Sequence, residues 1–118
     1  MNIIEVKHLT KTYHKNNGET FDAVKDIEFG VKAGEVFSFL GPNGAGKSTT
    51  IGMLTTQRVP TAGTIKIAGK DLGKHFTDLK SKIGVVTQHN NLDRGLTAKE
   101  NLLYHARYFG MSDKEANE

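Results

Sequence analysis

The stretch GPNGAGKSTT at residues 41–50 constrains the fold of this chain more than any other part of it. Residues 41–48 match the pattern G-x-x-x-x-G-K-[ST] in full. Glycines let a loop point successive N–H groups at phosphate oxygens, and a following helix directs its positive end at the same oxygens. The nearly apolar residues 36–40 precede the loop, as is typical of a strand in a parallel sheet. The sequence therefore predicts a strand, a phosphate-binding loop, and a helix from residue 47 to about residue 56.

The residue types in the loop indicate how it would hold a nucleoside triphosphate. Lys47 offers a positive charge to the β- and γ-phosphates, and Ser48 offers a hydroxyl ligand to Mg²⁺. Thr49 either assists at the phosphates or is simply a residue of the first helical turn. The other predicted phosphate contacts are Gly41, Asn43, Gly44, Ala45 and Gly46. The competing interpretation is a glycine-rich turn with no ligand.

Composition excludes several other classes of protein. With 118 residues and no cysteine, the chain suits one domain without disulfides or thiolate metal sites. The net charge is only +3 and the lysines are spread out, so we expect no nucleic-acid partner. The apolar runs are far shorter than the roughly 20 residues of a membrane helix, and the N-terminus lacks a signal pattern. The five histidines lack metal-ligand spacing, so Mg²⁺ bound with nucleotide is the only metal expected.

Local patterns outline the remaining elements. Strands are predicted at residues 2–6, 27–31, 64–68 and 83–87, and Asn17-Gly18 is a turn signal. Thr97 and Glu100 form a predicted capping box for a helix that runs to about Phe109 and stops at Gly110. Ser112 and Glu115 repeat the capping pattern.

Several further stretches accompany the loop in a characteristic order. They are LTKTY at 9–13, AVKDI at 23–27, GEV at 34–36, PTAG at 60–63, GVVTQ at 84–88 and LTAKENL at 96–102. Together with the loop they resemble, over residues 3–110, the nucleotide-binding subunits of ATP-binding cassette (ABC) transporters. The stretch from Gln88 to Asp93 is most similar to the drug- and efflux-type branch of that family.

The resemblance implies roles for two residues outside the loop. Tyr13 matches the aromatic residue that stacks on adenine, although a locally packed loop tyrosine would look the same. Gln88 matches the glutamine that reaches Mg²⁺ and the attacking water and relays nucleotide state to the membrane partner. Its alternative is an ordinary glutamine at a strand end. The implied catalytic residues are Lys47 and Gln88, and the implied metal ligands are Ser48 and Gln88.

The resemblance also implies an α/β architecture. Residues 1–118 would form the N-terminal portion of one ABC-type ATP-binding domain, with a partial P-loop NTPase core. About residues 1–35 would form an antiparallel β-subdomain, and residues 36–87 the loop strand, its helix and further strands. Residues 88–118 would contain the glutamine loop and the start of a helical subdomain.

Three motifs of the family are absent from these 118 residues: an apolar strand ending in Asp-Glu, an L-S-G-G-Q signature and a later histidine. Positioning and charge stabilisation at the γ-phosphate depend on such groups. We therefore expect the chain to bind nucleotide weakly at best and not to hydrolyse it. The strand at 36–40 would also lack a neighbour, which predicts self-association.

The expected function of the parent protein is an ATP-binding subunit that couples ATP hydrolysis to substrate movement. Its cofactors would be ATP and Mg²⁺. Its partners would be a transmembrane transporter subunit, contacted through the Gln88 region, and a second nucleotide-binding domain. The location would be cytoplasmic, on the inner face of the cell membrane. The alternatives are a soluble ABC-type ATPase, a truncated non-catalytic module and, more distantly, a small-molecule kinase.

Overall fold

The structure is a computed structural model that describes residues 1–42, 44, 46–87 and 92–118. It divides into two compact units, Met1–Ile83 and Gly84–Glu118. The first unit contains the sheet and the loop, and the second contains two helices.

The first unit is built on an antiparallel sheet with the strand order β2-β1-β3-β4. The long strand β1 lies inside the sheet and pairs with β2 on one side and β3 on the other. The strands are β1 Asn2–His14, β2 Thr20–Lys32, β3 Ala62–Ile67 and β4 Lys70–Asp71, and the helices are α1 Lys47–Leu54 and α2 Phe76–Lys80. The antiparallel β-subdomain expected from the sequence is thus present, with longer strands than the sequence indicates.

A pair of facing bulges explains how β1 and β2 bury their apolar residues. Val6 and Leu9 are both buried although they are three residues apart, which in a regular strand would place them on opposite faces. His8 has a left-handed φ of 51°, and the register shifts between Val6 and Leu9. Asp26 on β2 has a matching φ of 48°. These bulges return the apolar side chains to the core face of the sheet.

The two bulges are joined by an exposed ion-pair cluster. The Nδ1 atom of His8 lies 2.8 Å from Asp26 Oδ1, and its Nε2 atom lies 3.1 Å from Glu28 Oε1. The hydrogen bond to Asp26, followed by the charges of Glu28 and Asp26, raises the pKa of His8. The cluster therefore favours the folded state most below the ordinary histidine pKa, and this contribution is lost as pH rises through the raised value. Exposure to solvent keeps the contribution small.

The core lies where the sheet meets the two helices of the unit. Met53 of α1 and Leu79 of α2 are fully buried, as is Leu9 of β1. The remaining members of the core are Val6, Val24, Ile65 and Leu72. Because α1 has weak helix formers and almost no amphipathic pattern, this burial of Met53 is what holds the helix that follows the loop.

Two predicted strands are absent from the structure. Residues 36–40 and 83–87 form no strand, so the expectation of a parallel-sheet strand before the loop and of a further strand at 83–87 is wrong for the described residues. Val36 and Leu40 are 94% and 93% exposed, and Val86 is fully exposed. The described sheet contains β2, β1, β3 and β4 and includes neither run, and a strand forms only beside a hydrogen-bonding neighbour. Phe37 and Phe39 are nevertheless held by ring contacts to Phe29, with centroids 5.2 and 5.4 Å away.

The second unit contains the helices α3 Ala98–Tyr108 and α4 Asp113–Asn117. Both predicted capping boxes are confirmed, with Thr97 and Glu100 at α3 and Ser112 and Glu115 at α4. Hydrogen bonds from Ser112 lower the pKa of Glu115. In the part of the chain that the structure describes, none of the helices combines the length and apolarity that membrane crossing requires.

Gly63 on β3 is packed directly against the bulge of β1. A Cβ atom at this position would lie 2.3 Å from the carbonyl oxygen of His8, and the φ of Gly63 is 90°. Gly69 has a similar φ of 78° but open space around it. We expect Gly63→Ala to lower the free energy of unfolding by about 3 kcal/mol, because it adds a steric clash to the strain of a left-handed residue.

Gly69→Ala is the matched control, and it should cost only about 1 kcal/mol from backbone strain. Urea unfolding followed by far-UV circular dichroism measures both values. Equal losses for the two variants would show that Gly63 does not touch the bulge.

Candidate functional site

The phosphate-type loop joins β2 to α1 through close backbone contacts. Gly46 precedes α1 with φ 90°, and its carbonyl accepts from both the N–H and the Oγ1 of Thr50, each at 2.9 Å. Thr50 is the one buried polar residue among those described. This double hydrogen bond fixes the first turn of α1 at the end of the loop.

Gly46 also lies against the backbone of β2. A Cβ atom here would be 2.5 Å from the carbonyl oxygen of Ala23 and 3.2 Å from Val24 Cγ2. Only glycine allows the chain to pass this close to the strand. The end of the loop is thereby placed against the sheet.

Lys47, the first residue of α1, contacts the beginning of the loop. Its Nζ atom donates a hydrogen bond to the carbonyl oxygen of Gly41, the first residue of the motif. The lysine is half-buried, and Ser48 beside it is exposed. An ammonium group held within the curve of the loop is available to an anion, because a phosphate oxygen is a stronger partner for it than a neutral carbonyl.

A cleft of about 420 Å³ lies between the loop, the start of α1 and the ends of β1 and β2. It is lined by Tyr13, Phe21, Asp22, Ala23, Gly44, Gly46, Lys47, Ser48 and Thr49. Its volume falls within the roughly 300–1,000 Å³ that small-molecule sites occupy. The sheet and the loop therefore form a concave site large enough for a nucleotide.

The lining of the cleft contains two chemically different groups of residues. Tyr13 and Phe21 are aromatic, and their ring centroids lie 5.5 Å apart. Lys47 supplies a cationic side chain, and Ser48 and Thr49 supply hydroxyls. Flat aromatic surfaces accept a stacked base, and a cation with hydroxyls accepts phosphate and its metal. The site thus suits a ligand with a flat ring and an anionic tail.

Asp22 adds a carboxylate to the cleft. Its Oδ1 atom accepts a hydrogen bond of 2.6 Å from the hydroxyl of Thr12. Among the described residues, no group of three or more His, Asp or Glu side chains is arranged to hold a metal ion.

The structure brings most of the sequence-predicted residues together. Tyr13, Gly44, Gly46, Lys47, Ser48 and Thr49 all line the cleft. Gly41 contacts Lys47 through its carbonyl oxygen. Asn43, Ala45 and Gln88 lie outside the described residues.

Sequence reasoning missed two residues beside Tyr13. Phe21 is paired with Tyr13 across β1 and β2, which only the full extent of the two strands reveals. Arg58 donates from Nη1 to the hydroxyl of Tyr13 at 2.9 Å, although 45 residues separate them. No local pattern in the sequence signals that contact.

Comparison with known proteins identifies the family. The profile of the family described as ABC transporter matches residues 24–118. The chain belongs to the ABC transporter family. The α/β fold class expected from the sequence is therefore confirmed as part of an ABC cassette, even though the strands predicted at residues 36–40 and 83–87 are not formed here.

The similar curated proteins are considerably longer than this ABC chain. Nod factor export ATP-binding protein I of Burkholderia orbicola is 46% identical over 93 residues, which are 79% of this chain and 31% of that protein. The protein of the same name from Paraburkholderia xenovorans is 42% identical over 109 residues, which are 92% of this chain and 34% of that protein. The chain spans about one third of the length of these relatives.

Solved structures of ABC cassettes are also similar to this chain. The ATP-binding cassette MJ0796, in a dimeric post-hydrolysis state bound to ADP and Pi, aligns with a TM-score of 0.82 and 32% identity. The alignment covers 96% of this chain and 52% of that chain. A second dimeric structure of the same bacterial cassette aligns with a TM-score of 0.83 and 33% identity, with the same coverage.

The contact of Gly46 with β2 can be tested at a single amide. In Gly46→Ala the new Cβ atom meets the carbonyl of Ala23 at 2.5 Å, so the loop must move and the Thr50 N–H must loosen from the Gly46 carbonyl. We expect a loss of about 2–3 kcal/mol in the free energy of unfolding and faster hydrogen exchange at Thr50.

Gly44→Ala serves as the control because Gly44 has a φ of 88° but nothing within 4 Å of an added Cβ atom. Its cost should stay near 1 kcal/mol, with exchange at Thr50 unchanged. If both variants expose the Thr50 amide to the same degree, strain in the loop rather than the contact with Ala23 is responsible.

Proposed function

We propose that this chain holds ATP, with Mg²⁺, as the N-terminal part of the ATP-binding subunit of an ABC transporter. The observation that carries the proposal is the cleft that unites Tyr13 with Lys47, Ser48 and Thr49. Residues from the end of β1 and the start of α1, more than 30 positions apart, line one space with an aromatic pair and a cation. ATP offers a partner to each, a flat base and an anionic phosphate chain.

The proposed roles follow the chemistry of each residue. Tyr13 stacks on adenine, and the backbone of the loop surrounds the phosphates. Lys47 leaves the Gly41 carbonyl to contact the β- and γ-phosphates, and Ser48 contributes its hydroxyl to Mg²⁺. Gln88 completes the metal and water region and acts with Lys47 in catalysis in the whole subunit. The remaining proposed phosphate contacts are Gly41, Asn43, Gly44, Ala45, Gly46 and Thr49.

The proposal for the whole protein is energy coupling in export. The relatives in B. orbicola and P. xenovorans carry the name Nod factor export ATP-binding protein I, which supports an export function. The dimeric cassettes support a second nucleotide-binding domain as a partner. A transmembrane subunit would be the other partner, contacted through the Gln88 region, on the cytoplasmic face of the membrane. Which substrate moves is decided by that membrane partner.

The domain division belongs to the same proposal. For the whole subunit we assign about residues 1–35 to the β-subdomain, 36–87 to the loop strand, helix and further strands, and 88–118 to the glutamine loop and the start of a helical subdomain. The structure divides the chain at Ile83 and Gly84, four residues before Gln88.

Titration with Mg-ATP tests the proposed binding directly. Calorimetry on this 118-residue chain should detect saturable binding that weakens about tenfold or more in Lys47→Ala, because a charge-assisted phosphate contact is lost. Tyr13→Ala should weaken binding about tenfold through loss of stacking. Lys74→Ala removes an exposed cation outside the cleft and is the matched control, with an expected change below twofold.

The same samples test the absence of turnover. Asp22 is the one carboxylate among the described residues that line the cleft, and it is hydrogen-bonded to Thr12. The sequence also lacks an apolar strand that ends in Asp-Glu. We expect phosphate release at the background rate. Turnover near one per second that disappears in Lys47→Ala would refute the claim that this chain only binds.

Self-association is a separate proposal that rests on exposed apolar side chains. Val36 and Leu40 in the first unit, and Val86 in the second, present almost their whole surface to solvent. Exposed apolar side chains of this kind favour association between molecules. Sedimentation over a 100-fold range of concentration should give a rising mean mass, and Val36→Lys should reduce it. A monomer mass at every concentration would contradict the proposal.

A further inference from the structure

The segment that follows α1 is fastened to the end of β1 that carries Tyr13. We call residues 58–61 the tether segment. Four hydrogen bonds join it to residues 10–13 of β1. They run from Lys11 Nζ to the Val59 carbonyl at 2.8 Å, from the Thr61 N–H to the Thr10 carbonyl at 2.9 Å, from the Thr12 N–H to Thr61 Oγ1 at 2.9 Å, and from Arg58 Nη1 to the Tyr13 hydroxyl at 2.9 Å.

Arg58 is the member of the tether segment that contacts the proposed adenine platform. Its guanidinium carbon lies 5.9 Å from the centroid of the Tyr13 ring, in addition to the hydrogen bond to the phenol oxygen. Arg58 itself is not among the residues that line the cleft, whereas Tyr13 is. The contacts of Arg58 with the cleft lining therefore run through Tyr13.

The stem of Arg58 crosses α1 at a residue without a side chain. A Cβ atom at Gly52 would approach the Cδ, Nε and Cγ atoms of Arg58 at 3.0, 3.1 and 3.2 Å. Gly52 itself is buried. The arginine thus spans from the surface of the helix that follows the loop to the hydroxyl of Tyr13.

We propose that Arg58 is a positioning residue for nucleotide binding, which holds the ring of Tyr13 in a fixed orientation relative to the phosphate loop. The inference rests on the proposed function, because it assumes that Tyr13 receives the base. A tyrosine ring held at its hydroxyl loses less freedom when a base stacks on it, so part of the ordering cost is met before binding. The same contact couples the base end of the site to α1.

The test separates the base from the phosphates. Dissociation constants are measured for Mg-ATP and for Mg-tripolyphosphate, which keeps the phosphates and lacks the base. The variants are Arg58→Met, Tyr13→Phe and the double variant. Arg58→Met and Tyr13→Phe each break the same hydrogen bond. The first keeps an apolar stem at residue 58, and the second keeps the aromatic ring at residue 13.

We expect each single variant to weaken Mg-ATP binding about three- to tenfold and to change tripolyphosphate binding less than twofold. The double variant should be no weaker than either single one, because the two changes remove one shared interaction. Lys74→Met is the matched control for loss of a surface cation, and it should change neither constant. Arg58→Lys, which keeps a donor, should recover part of the ATP affinity. Urea unfolding and circular dichroism verify that every variant is folded.

Three results would overturn the inference. Equal weakening of ATP and tripolyphosphate in Arg58→Met would make the arginine a phosphate-attracting charge. Additive losses in the double variant would mean that Arg58 and Tyr13 act independently. An unchanged ATP constant in Arg58→Met, with wild-type binding intact, would remove the role of Arg58 and leave the proposed function standing.

The failure of the proposed function has a different signature. Wild-type protein that binds tripolyphosphate and ATP with equal affinity would show that Tyr13 does not receive the base, and the role of Arg58 would fall with it. Wild-type protein that binds neither would refute nucleotide binding as a whole.

Discussion

The pairing of β1 with strands on both of its sides is the interaction on which the rest of the first unit depends. Its pairing with β2 sets Phe21 beside Tyr13 and brings the Ala23 carbonyl to the point where Gly46 ends the loop. Its pairing with β3 brings Gly63 against the bulge. The cleft is lined by the ends of β1 and β2, by the loop and by the start of α1. The site is therefore only as well ordered as the backbone hydrogen bonds of β1.

Local sequence patterns predict the parts of the fold whose hydrogen bonds are made between residues close together in the chain. The capping boxes at Thr97 and Ser112 close hydrogen bonds within three residues, and both are present. The helix after the loop also forms, although it ends at Leu54 rather than near residue 56. Residues 36–40 and 83–87 differ, because an apolar run becomes a strand only beside a partner. The sequence shows that these runs are apolar and does not show which strand they would pair with.

The candidate site also contains residues that the sequence predicts and residues that it does not. The motif at residues 41–48 points to Lys47 and Ser48, and the family resemblance adds Tyr13. The structure places all three around one cleft. Phe21 and Arg58 escape prediction because each depends on a long-range contact with Tyr13. The bulges at His8 and Asp26 hide the extent of β1 and β2 as well, since one extra residue breaks the alternation by which a strand is recognised.

The distribution of tyrosines gives this chain a built-in optical probe. It has no tryptophan and three tyrosines, and Tyr13 is the only one in Met1–Ile83. The other two, Tyr104 and Tyr108, lie on α3, where phenylalanine would keep the ring and remove the hydroxyl. In a variant with phenylalanine at both of these positions, all tyrosine fluorescence would come from Tyr13, which lies beside Arg58 and Phe21. Occupancy of the site then becomes visible without a label.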